Sequence, residues 1–278
     1  MPWSQPTAKE ADFLTYFFAG RIAINSDPDG RKPISPTQIV GQKTLTIVVP
    51  GQSIVGNHGN SRYTTLSPLV QKLSITDGRI YRANSPLLGT TGKGGNWLPR
   101  LGDRIIQQRW ADRVILEPIS FGGSAVNEWN YSFESRLVDI AKARLDDVGL
   151  VADAIWWQQG PINTYRHTSK EDYARDLAAV ISHFRRVGFT CPIFICQESY
   201  IPKGITWPPV RAAQAAAVNH DAGIWAGADT DILDHTMRFD DQHLNAAGEE
   251  KMAEIALEAL GRYGIPFAPP MPTVASDL

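Results

Sequence analysis

The stretch Leu45-Thr46-Ile47-Val48-Val49-Pro50-Gly51-Gln52-Ser53 joins an apolar run to an abrupt break. A short apolar run bounded by Pro and Gly is typical of a strand buried on both faces, as the strands of parallel sheets are. Gly51 permits the tight turn that follows such a strand. The stretch therefore predicts a buried strand with Ser53 exposed at its carboxyl end.

The rest of the chain alternates similar apolar runs with longer amphipathic segments. Further strands are predicted near 113–119, 153–158 and 192–197, and helices near 98–109, 134–147, 169–187, 209–219 and 246–262. Alternation of this kind indicates a parallel sheet covered by helices. We therefore predict an α/β fold, a three-layer α/β/α sandwich whose central parallel sheet has about five strands.

Composition divides the 278 residues into three segments. Residues 1–40 show weak periodicity and many turn formers, and we expect an N-terminal extension that packs on the domain. Residues 41–265 carry the alternating pattern and form the predicted domain. The proline-rich tail of residues 266–278 cannot continue a helix.

Charge and hydropathy limit the partners of the chain. A formal net charge of −2 predicts no strong attraction to nucleic acid or to an anionic membrane. No apolar run approaches the roughly 20 residues that a membrane span requires, and the N-terminus lacks the basic and then apolar layout of a signal peptide. We expect a soluble protein; its location, cytoplasmic or exported by another route, and its oligomeric state stay open.

A second informative stretch, Asp240-Asp241-Gln242-His243-Leu244-Asn245, places an acid three residues before a histidine. A serine nucleophile needs a general base, and that base needs an acid to fix its tautomer. The spacing lets Asp240 accept from one ring nitrogen of His243 while the other nitrogen faces Ser53. We therefore predict these three residues as acid, base and nucleophile, with Asp241 as a competing acid.

Two further strand ends carry groups suited to a developing negative charge. Gly122 and Gly123 follow the second strand and let the backbone approach a ligand closely. Asn163 follows the third strand and offers a side-chain amide. Each feature alone has a simpler explanation: an exposed serine is usually a helix cap, paired glycines are usually a turn, and Asn163 organises its own loop.

The order serine, glycine, asparagine and then Asp-x-x-His, each at a strand end, resembles the SGNH/GDSL hydrolase superfamily over residues 44–263. Four motifs are similar to its sialate O-acetylesterase and acetylxylan-esterase-like branch: Gly51-Gln52-Ser53, Gly122-Gly123-Ser124 with Trp129, Trp157-Gln158-Gln159-Gly160, and Asp240-x-x-His243-Leu244-Asn245-x-x-Gly248. The resemblance implies a flavodoxin-like domain that hydrolyses esters, often O-acetyl groups on carbohydrate, without a metal or another cofactor.

The resemblance also assigns the oxyanion hole and the substrate contacts. Its oxyanion donors correspond to the N–H groups of Ser53 and Gly123 and to the amide of Asn163, with Gln159 as an alternative side-chain donor. Its substrate-binding positions correspond to Gln52, Gln159 and Trp129.

Two residues, Ile54 and Pro161, depart from the branch, which has a polar and an acidic residue there. The implied partner is a small-molecule or polysaccharide ester. Two alternatives stay open: a lipase or thioesterase of the same superfamily, for which we expect a long apolar groove, and a catalytically silent carbohydrate-binding module. The tryptophans at 97, 129, 157, 207 and 225 fit sugar stacking.

Overall fold

The computed structural model describes residues 25–26, 30–35 and 43–264. Its strands are β1 Thr44–Gly51, β2 Val70–Leu73, β3 Ile80–Arg82, β4 Arg113–Ser120, β5 Ala154–Trp157, β6 Ile193–Gln197 and β7 Ile224–Asp229. Its α-helices are α1 Leu98–Gln107, α2 Glu128–Tyr131, α3 Phe133–Asp147, α4 Pro161–Tyr165, α5 Lys170–Arg186, α6 Pro208–Ala216 and α7 Ala246–Tyr263. Short 3₁₀ turns follow β6 and β7.

The strands form one sheet in the order β3-β2-β4-β1-β5-β6-β7. Every neighbouring pair is parallel except β2 and β3, which are antiparallel. The apolar run of β1 alternates between the two faces: Leu45, Ile47 and Val49 pack on one side and Val48 on the other. Burial on both faces explains why this strand reads as a continuous apolar run.

Helices cover both faces of the sheet. Helices α3, α5 and α6 pack on one face, and α1 and α7 pack on the other. Side chains cap two of these helices: that of Ser169 accepts from the backbone N–H of Asp172, and that of Asn245 accepts from the backbone N–H of Gly248. No helix within the described ranges is long and apolar enough to cross a membrane.

The predicted three-layer α/β/α fold is confirmed, but the strand count is corrected. The sheet has seven strands rather than about five, and it is mixed rather than wholly parallel because of β3. Three strands were missed, β2, β3 and β7. In β7 only Ile224 and Ala228 are buried. In β2 the polar residues Gln71 and Lys72 are both buried, and β3 has only three residues.

Most of the expected N-terminal extension, and the expected tail of residues 266–278, lie outside the described residues. The described parts of the extension contact the domain. Ile34 forms an antiparallel bridge with Ile80, and the backbone N–H of Asn25 donates to the carbonyl of Thr90 at 2.9 Å. The division into three segments stays a prediction.

The segments after β1, β4 and β5 meet at one edge of the sheet. The N–H of Phe121 donates to the carbonyl of Gly51 at 2.9 Å, and Gly51 also bridges to Gln158. A Cβ at Gly51 would collide with the carbonyl of Gln158, so only glycine fits there. Strand β1 is also where the strand order reverses, and such a switch point is the usual ligand site of parallel α/β sheets.

Candidate active site

Ser53 lies in the turn directly after β1. Its side chain is 8% exposed, and its Oγ has no hydrogen-bond partner among the described residues. Ser53 and His243 line the same cavity of about 10 Å³. The fold thus brings together two residues that lie far apart in the sequence.

The loop of residues 240–243 holds the imidazole of His243 by local hydrogen bonds. Its Nδ1 lies 2.7 Å from Oδ2 of Asp240, whose Oδ1 accepts from the backbone N–H groups of Gln242 and His243 at 3.0 and 2.6 Å. Partial burial alone would raise the pKa of Asp240, but these hydrogen bonds outweigh it and hold the pKa below its usual range. The Nε2 atom of His243 is left for the nucleophile.

Asp241, the competing acid, faces away from the imidazole. Its carboxylate accepts from the hydroxyl of Tyr200 at 2.9 Å and from the backbone N–H of Lys203 at 2.6 Å. Arg238 supports the same loop by donating to the carbonyl of Gln242 at 2.6 Å. Asp241 therefore anchors the loop, and of the two acids Asp240 is the one that contacts the ring.

Two backbone N–H groups at neighbouring strand ends are open. The N–H groups of Ser53 and Gly123 have no acceptor among the described residues. The neighbouring N–H of Gly122 is different, because it donates to Oγ1 of Thr91 at 3.0 Å. Gly123 has a φ of 77°, and a Cβ built there would meet nothing within 4 Å. These two open groups are suited to bind an oxyanion.

The side chain of Asn163 is held within its own loop. Its Oδ1 accepts from Nε2 of Gln159 at 2.7 Å and from the N–H of Val126 at 3.1 Å. Its Nδ2 donates to Oγ1 of Thr168 at 3.0 Å, and the residue is 2% exposed. This geometry fits the loop-organising alternative and does not support the predicted role of Asn163 in the oxyanion hole.

Gln159 is the centre of a buried amide network, which also contains Gln52, Asn163 and Gln214. Its Nε2 donates toward three acceptors: Oδ1 of Asn163, the carbonyl of Ser124 and Oε1 of Gln52. Its own carbonyls are also bonded, because Oε1 accepts from the Tyr173 hydroxyl and the backbone carbonyl accepts from Gln214. Gln159 is 0% exposed. This burial does not support the expectation that Gln159 contacts substrate, which stays a prediction.

Gln52 differs from the other amides of the network because half of its side chain is free. Its Oε1 accepts from Nε2 of Gln159 at 3.2 Å and from the backbone N–H groups of Gly160 and Ile162 at 3.3 and 3.4 Å. Its Nε2 has no partner among the described residues, and it is not sealed from solvent. The geometry is compatible with the predicted role of Gln52 in binding.

Trp129 does not reach the surface of the site. It is 0% exposed, its indole N–H donates to Oγ of Ser124 at 3.0 Å, and its ring packs edge-on against Trp157. This geometry does not support the prediction that Trp129 contacts substrate, because its buried indole is bonded to the loop after β4. Its burial depends on the packing of α2 against the sheet, which no local pattern indicates.

Two exposed aromatic side chains that were not predicted from the sequence flank the loop of residues 240–243. Phe239 is 48% exposed and its ring centroid lies 6.3 Å from that of His243. Tyr165 is 53% exposed, and its hydroxyl is 3.4 Å from Oε1 of Gln242. Phe239 directly precedes the Asp-x-x-His motif, and that adjacency was the available signal.

A second histidine also lies at the site. The ring of His58 stacks on that of His243, with centroids 5.3 Å apart and planes inclined by 23°. Burial, and secondarily the charge of His243, lower the pKa of His58 to about 4. Its position five residues after Ser53 was the only sequence signal.

No group of three or more His, Cys, Asp or Glu side chains is arranged to hold a metal ion within residues 25–26, 30–35 and 43–264. The groups gathered at the site are a hydroxyl, an imidazole backed by a carboxylate, and open N–H donors. This set can carry out acyl transfer, since it supplies a nucleophile, a base and an oxyanion site.

Solved structures of similar fold come from several organisms. A protein from Arabidopsis thaliana is 17% identical with a TM-score of 0.64, over 81% of this chain and 100% of that chain. A putative GDSL-like lipase from Parabacteroides merdae is 14% identical with a TM-score of 0.53, over 87% and 99%. A carbohydrate acetylesterase from Xanthomonas citri is 13% identical with a TM-score of 0.52, over 79% and 56%. At these identities the likeness concerns the fold.

A family model described as carbohydrate esterase, sialic acid-specific acetylesterase, matches residues 100–261. The match contains Gly123, Gln159, Asp240 and His243 and begins after Ser53. No curated protein matches the chain. Because the family model covers more than half of it, the chain belongs to the sialic acid-specific acetylesterase family of carbohydrate esterases and is a carboxylic ester hydrolase.

Proposed function

We propose that the chain is a serine esterase that removes short acyl groups, above all O-acetyl groups of carbohydrates, through Ser53, His243 and Asp240 and a covalent acyl-enzyme. One observation carries the proposal: Ser53 and His243 line a common cavity while Asp240 holds Nδ1 of the imidazole at 2.7 Å. A hydroxyl, a base and an orienting acid in this order form a catalytic triad.

In the proposed mechanism Nε2 of His243 takes the proton of Ser53 as Oγ attacks the ester carbonyl carbon. The carbonyl oxygen becomes an oxyanion, which the N–H groups of Ser53 and Gly123 bind. The bond to the alcohol oxygen then breaks, and the imidazolium returns its proton to the departing alcohol. Water attacks the acyl-enzyme with the same base and releases the acid and free Ser53.

The size of the cavity supports a short acyl group. At about 10 Å³ the cavity beside Ser53 is small, and this supports a short acyl group over a long chain. A lipase would need a long apolar groove beside Ser53, and the cavity that Ser53 and His243 share does not have that form. The family membership supports a carbohydrate as the alcohol.

The first test compares initial rates of hydrolysis of p-nitrophenyl acetate and p-nitrophenyl octanoate. We expect the acetate to be the better substrate and Ser53→Ala to reduce turnover to the background rate. Ser61→Ala is the matched control, because the Oγ of Ser61 only accepts weakly from Arg100 at 3.4 Å. Equal rates for the wild type and Ser53→Ala on both esters would contradict the assigned nucleophile and favour a binding module.

The covalent step is tested by mass spectrometry. An activated alkyl phosphonate ester should add one phosphonyl group to the wild type, located on the peptide that contains Ser53. Ser53→Ala should remain unmodified and Ser61→Ala should be modified at the wild-type rate. Release of acetate from O-acetylated sialic acid and from acetylated xylo-oligosaccharides then ranks the natural alcohols.

A further inference from the structure

His58 is a polar side chain of the active site that the triad does not use. Its ring lies face to face with that of His243, with centroids 5.3 Å apart, and it lines the same cavity as Ser53. Its Nδ1 has no partner among the described residues and is not sealed from solvent. The ring thus places a polar atom of unassigned role beside the reacting groups.

Three glycines hold the ring of His58 in one place. A Cβ at Gly56 would lie 2.8 Å from Cδ2 of the ring, and a Cβ at Gly92 would lie 3.1 Å from the same atom. A Cβ at Gly122 would lie 3.1 Å from Nε2. Any larger residue at these positions would displace the ring, so the backbone around it is shaped for an imidazole.

The hydrogen bonds of Thr91 decide which ring nitrogen of His58 carries the proton. Oγ1 of Thr91 accepts from the N–H of Gly122 at 3.0 Å and lies 3.0 Å from Nε2 of His58. Thr91 is 0% exposed, and its hydroxyl has no other acceptor in the ranges 25–26, 30–35 and 43–264. The hydroxyl proton must therefore go to Nε2, because a buried donor without an acceptor is unfavourable.

A neutral imidazole that accepts at Nε2 carries its proton on Nδ1. The ring is neutral near pH 7, because burial and the charge of His243 lower its pKa to about 4, although Asp240 acts in the opposite direction. His58 therefore does not compete with His243 for a proton. Its uncharged Nδ1–H is held beside the ring of His243 and is accessible to solvent.

We propose that His58 is a specificity-determining residue whose Nδ1–H binds an oxygen of the alcohol part of the ester, so that polyol esters are favoured over esters of simple alcohols. The open N–H groups of Ser53 and Gly123 serve the carbonyl oxygen. The ring of His58 stacks on that of His243. In the proposed mechanism His243 returns a proton to the departing alcohol, so His58 lies beside the alcohol rather than beside the carbonyl oxygen. The inference rests on the proposed function and names the part of the substrate that this side chain recognises.

The test is a comparison of two substrates that share an acetyl group. An O-acetylated methyl glycoside has hydroxyl groups beside the ester, whereas p-nitrophenyl acetate has none. His58→Ala should lower kcat/KM for the glycoside about tenfold and change it little for p-nitrophenyl acetate. His58→Asn, whose Nδ2 replaces the Nδ1 donor, should recover part of the loss on the glycoside only. Equal losses on both esters, or no loss on either, would overturn the inference.

A second measurement addresses the proton directly. In ¹⁵N-labelled wild type at pH 7, the ring shifts of His58 should show a protonated Nδ1 and an unprotonated Nε2. Thr91→Val should disturb this pattern and Thr91→Ser should preserve it, because only serine keeps the hydroxyl. A protonated Nε2 in the wild type would refute the assignment.

The two proposals fail in distinguishable ways. If Ser53→Ala abolishes both activities and His58→Ala lowers both equally, only the role of His58 is wrong. If Ser53→Ala keeps both activities, the assigned nucleophile is wrong whatever His58 does. Thermal unfolding of each variant separates a loss of fold from a loss of function.

Discussion

The loop of residues 240–243 and the buried amide network lie at the same site but are held in place by different interactions. In the loop, acid and base are three residues apart and the side chain of Asp240 is 40% exposed. In the network, Gln52, Gln159 and Asn163 follow two different strands and are almost fully sealed from water. The loop depends on a few local bonds, whereas the network depends on the packing of the whole sheet edge.

This difference predicts how each region responds to substitution. A partly hydrated carboxylate can be lost without leaving a buried group unpaired, so the free energy of unfolding should change little. A sealed amide cannot be lost in this way, because its partners become unsatisfied inside the protein. Substitutions in the loop should therefore lower activity, and substitutions in the network should lower stability.

The largest expected effect is that of Asp240→Asn. Without the carboxylate the imidazole of His243 loses its fixed tautomer, and kcat should fall by about 10⁴-fold. The melting temperature should stay near that of the wild type. Asp241→Asn is the matched control, and its kcat should fall far less, since Asp241 contacts Tyr200 and Lys203. Equal losses in the two variants would contradict the assigned acid.

The next effect is that of Gln159→Leu. The variant leaves the carbonyl of Ser124 without its donor, and this unsatisfied group should lower the free energy of unfolding by about 1–3 kcal/mol. The hydroxyl of Tyr173 and Oδ1 of Asn163 each lose one hydrogen bond but keep another partner. Urea denaturation measures the loss. Gln107→Leu, at an exposed position of α1, should leave stability almost unchanged. A stable Gln159→Leu enzyme with lost turnover would make Gln159 a catalytic donor instead.

A smaller effect concerns pH and Glu198, whose N–H and carbonyl both bond to Gln214. Burial, and then the charge of Asp231, raise the pKa of Glu198 to about 8. The carboxyl of Glu198 therefore keeps its proton in the folded state at pH values where the unfolded state releases it. The stability that this proton contributes is complete below the unfolded pKa and is lost as the pH rises toward 8. Glu198→Gln should reduce the decrease in stability between pH 5 and pH 8 by on the order of 1 kcal/mol. Thermal melts of both proteins at the two pH values measure it, and parallel curves would contradict it.

The contribution of Asp240 to stability depends on pH in the opposite direction. Its pKa in the folded state lies below its usual range, so its contribution is present near neutral pH and is lost as the pH falls. Raising the pH should therefore weaken the network and leave the loop intact, and acid should do the reverse.

The smallest expected effect is that of Thr168→Ala, which removes the acceptor of Nδ2 of Asn163. The free energy of unfolding should change by less than about 1 kcal/mol, because the loop is close to water and the other bonds of Asn163 remain. Turnover should stay within a factor of about two. A clear increase in kcat would mean that the released amide of Asn163 reaches the oxyanion.

The same contrast explains how much could be predicted from sequence. The contact of Asp240 with His243 could be predicted because a three-residue spacing fixes their geometry locally. The position of Ser53 directly after a strand could be predicted because a broken apolar run marks a strand end. The sequence shows several amides near the site, but which of them faces the substrate depends on rotamers set by distant partners. The complete burial of Trp129 was not predicted for that reason. The contact of His58 with His243 joins two loops that no local pattern connects.

The missed strands have a similar physical cause. Lys72 is fully buried in β2, and a charged residue in a short segment does not indicate a strand. Its Nζ donates to the carbonyl of Leu88, and no hydrophobic periodicity in the sequence indicates that contact. Predictions that rest on periodicity find the centre of the sheet and miss its edges.

The exposure of the catalytic loop has a consequence for how such enzymes diversify. Asp240 and His243 contact each other, and both side chains are partly exposed to solvent. The residues on that exposed side can therefore change without disturbing the core. Phe239 and Tyr165 lie on that solvent side. Substitutions at these two positions can therefore change which esters are accepted while the contact between Asp240 and His243 is kept.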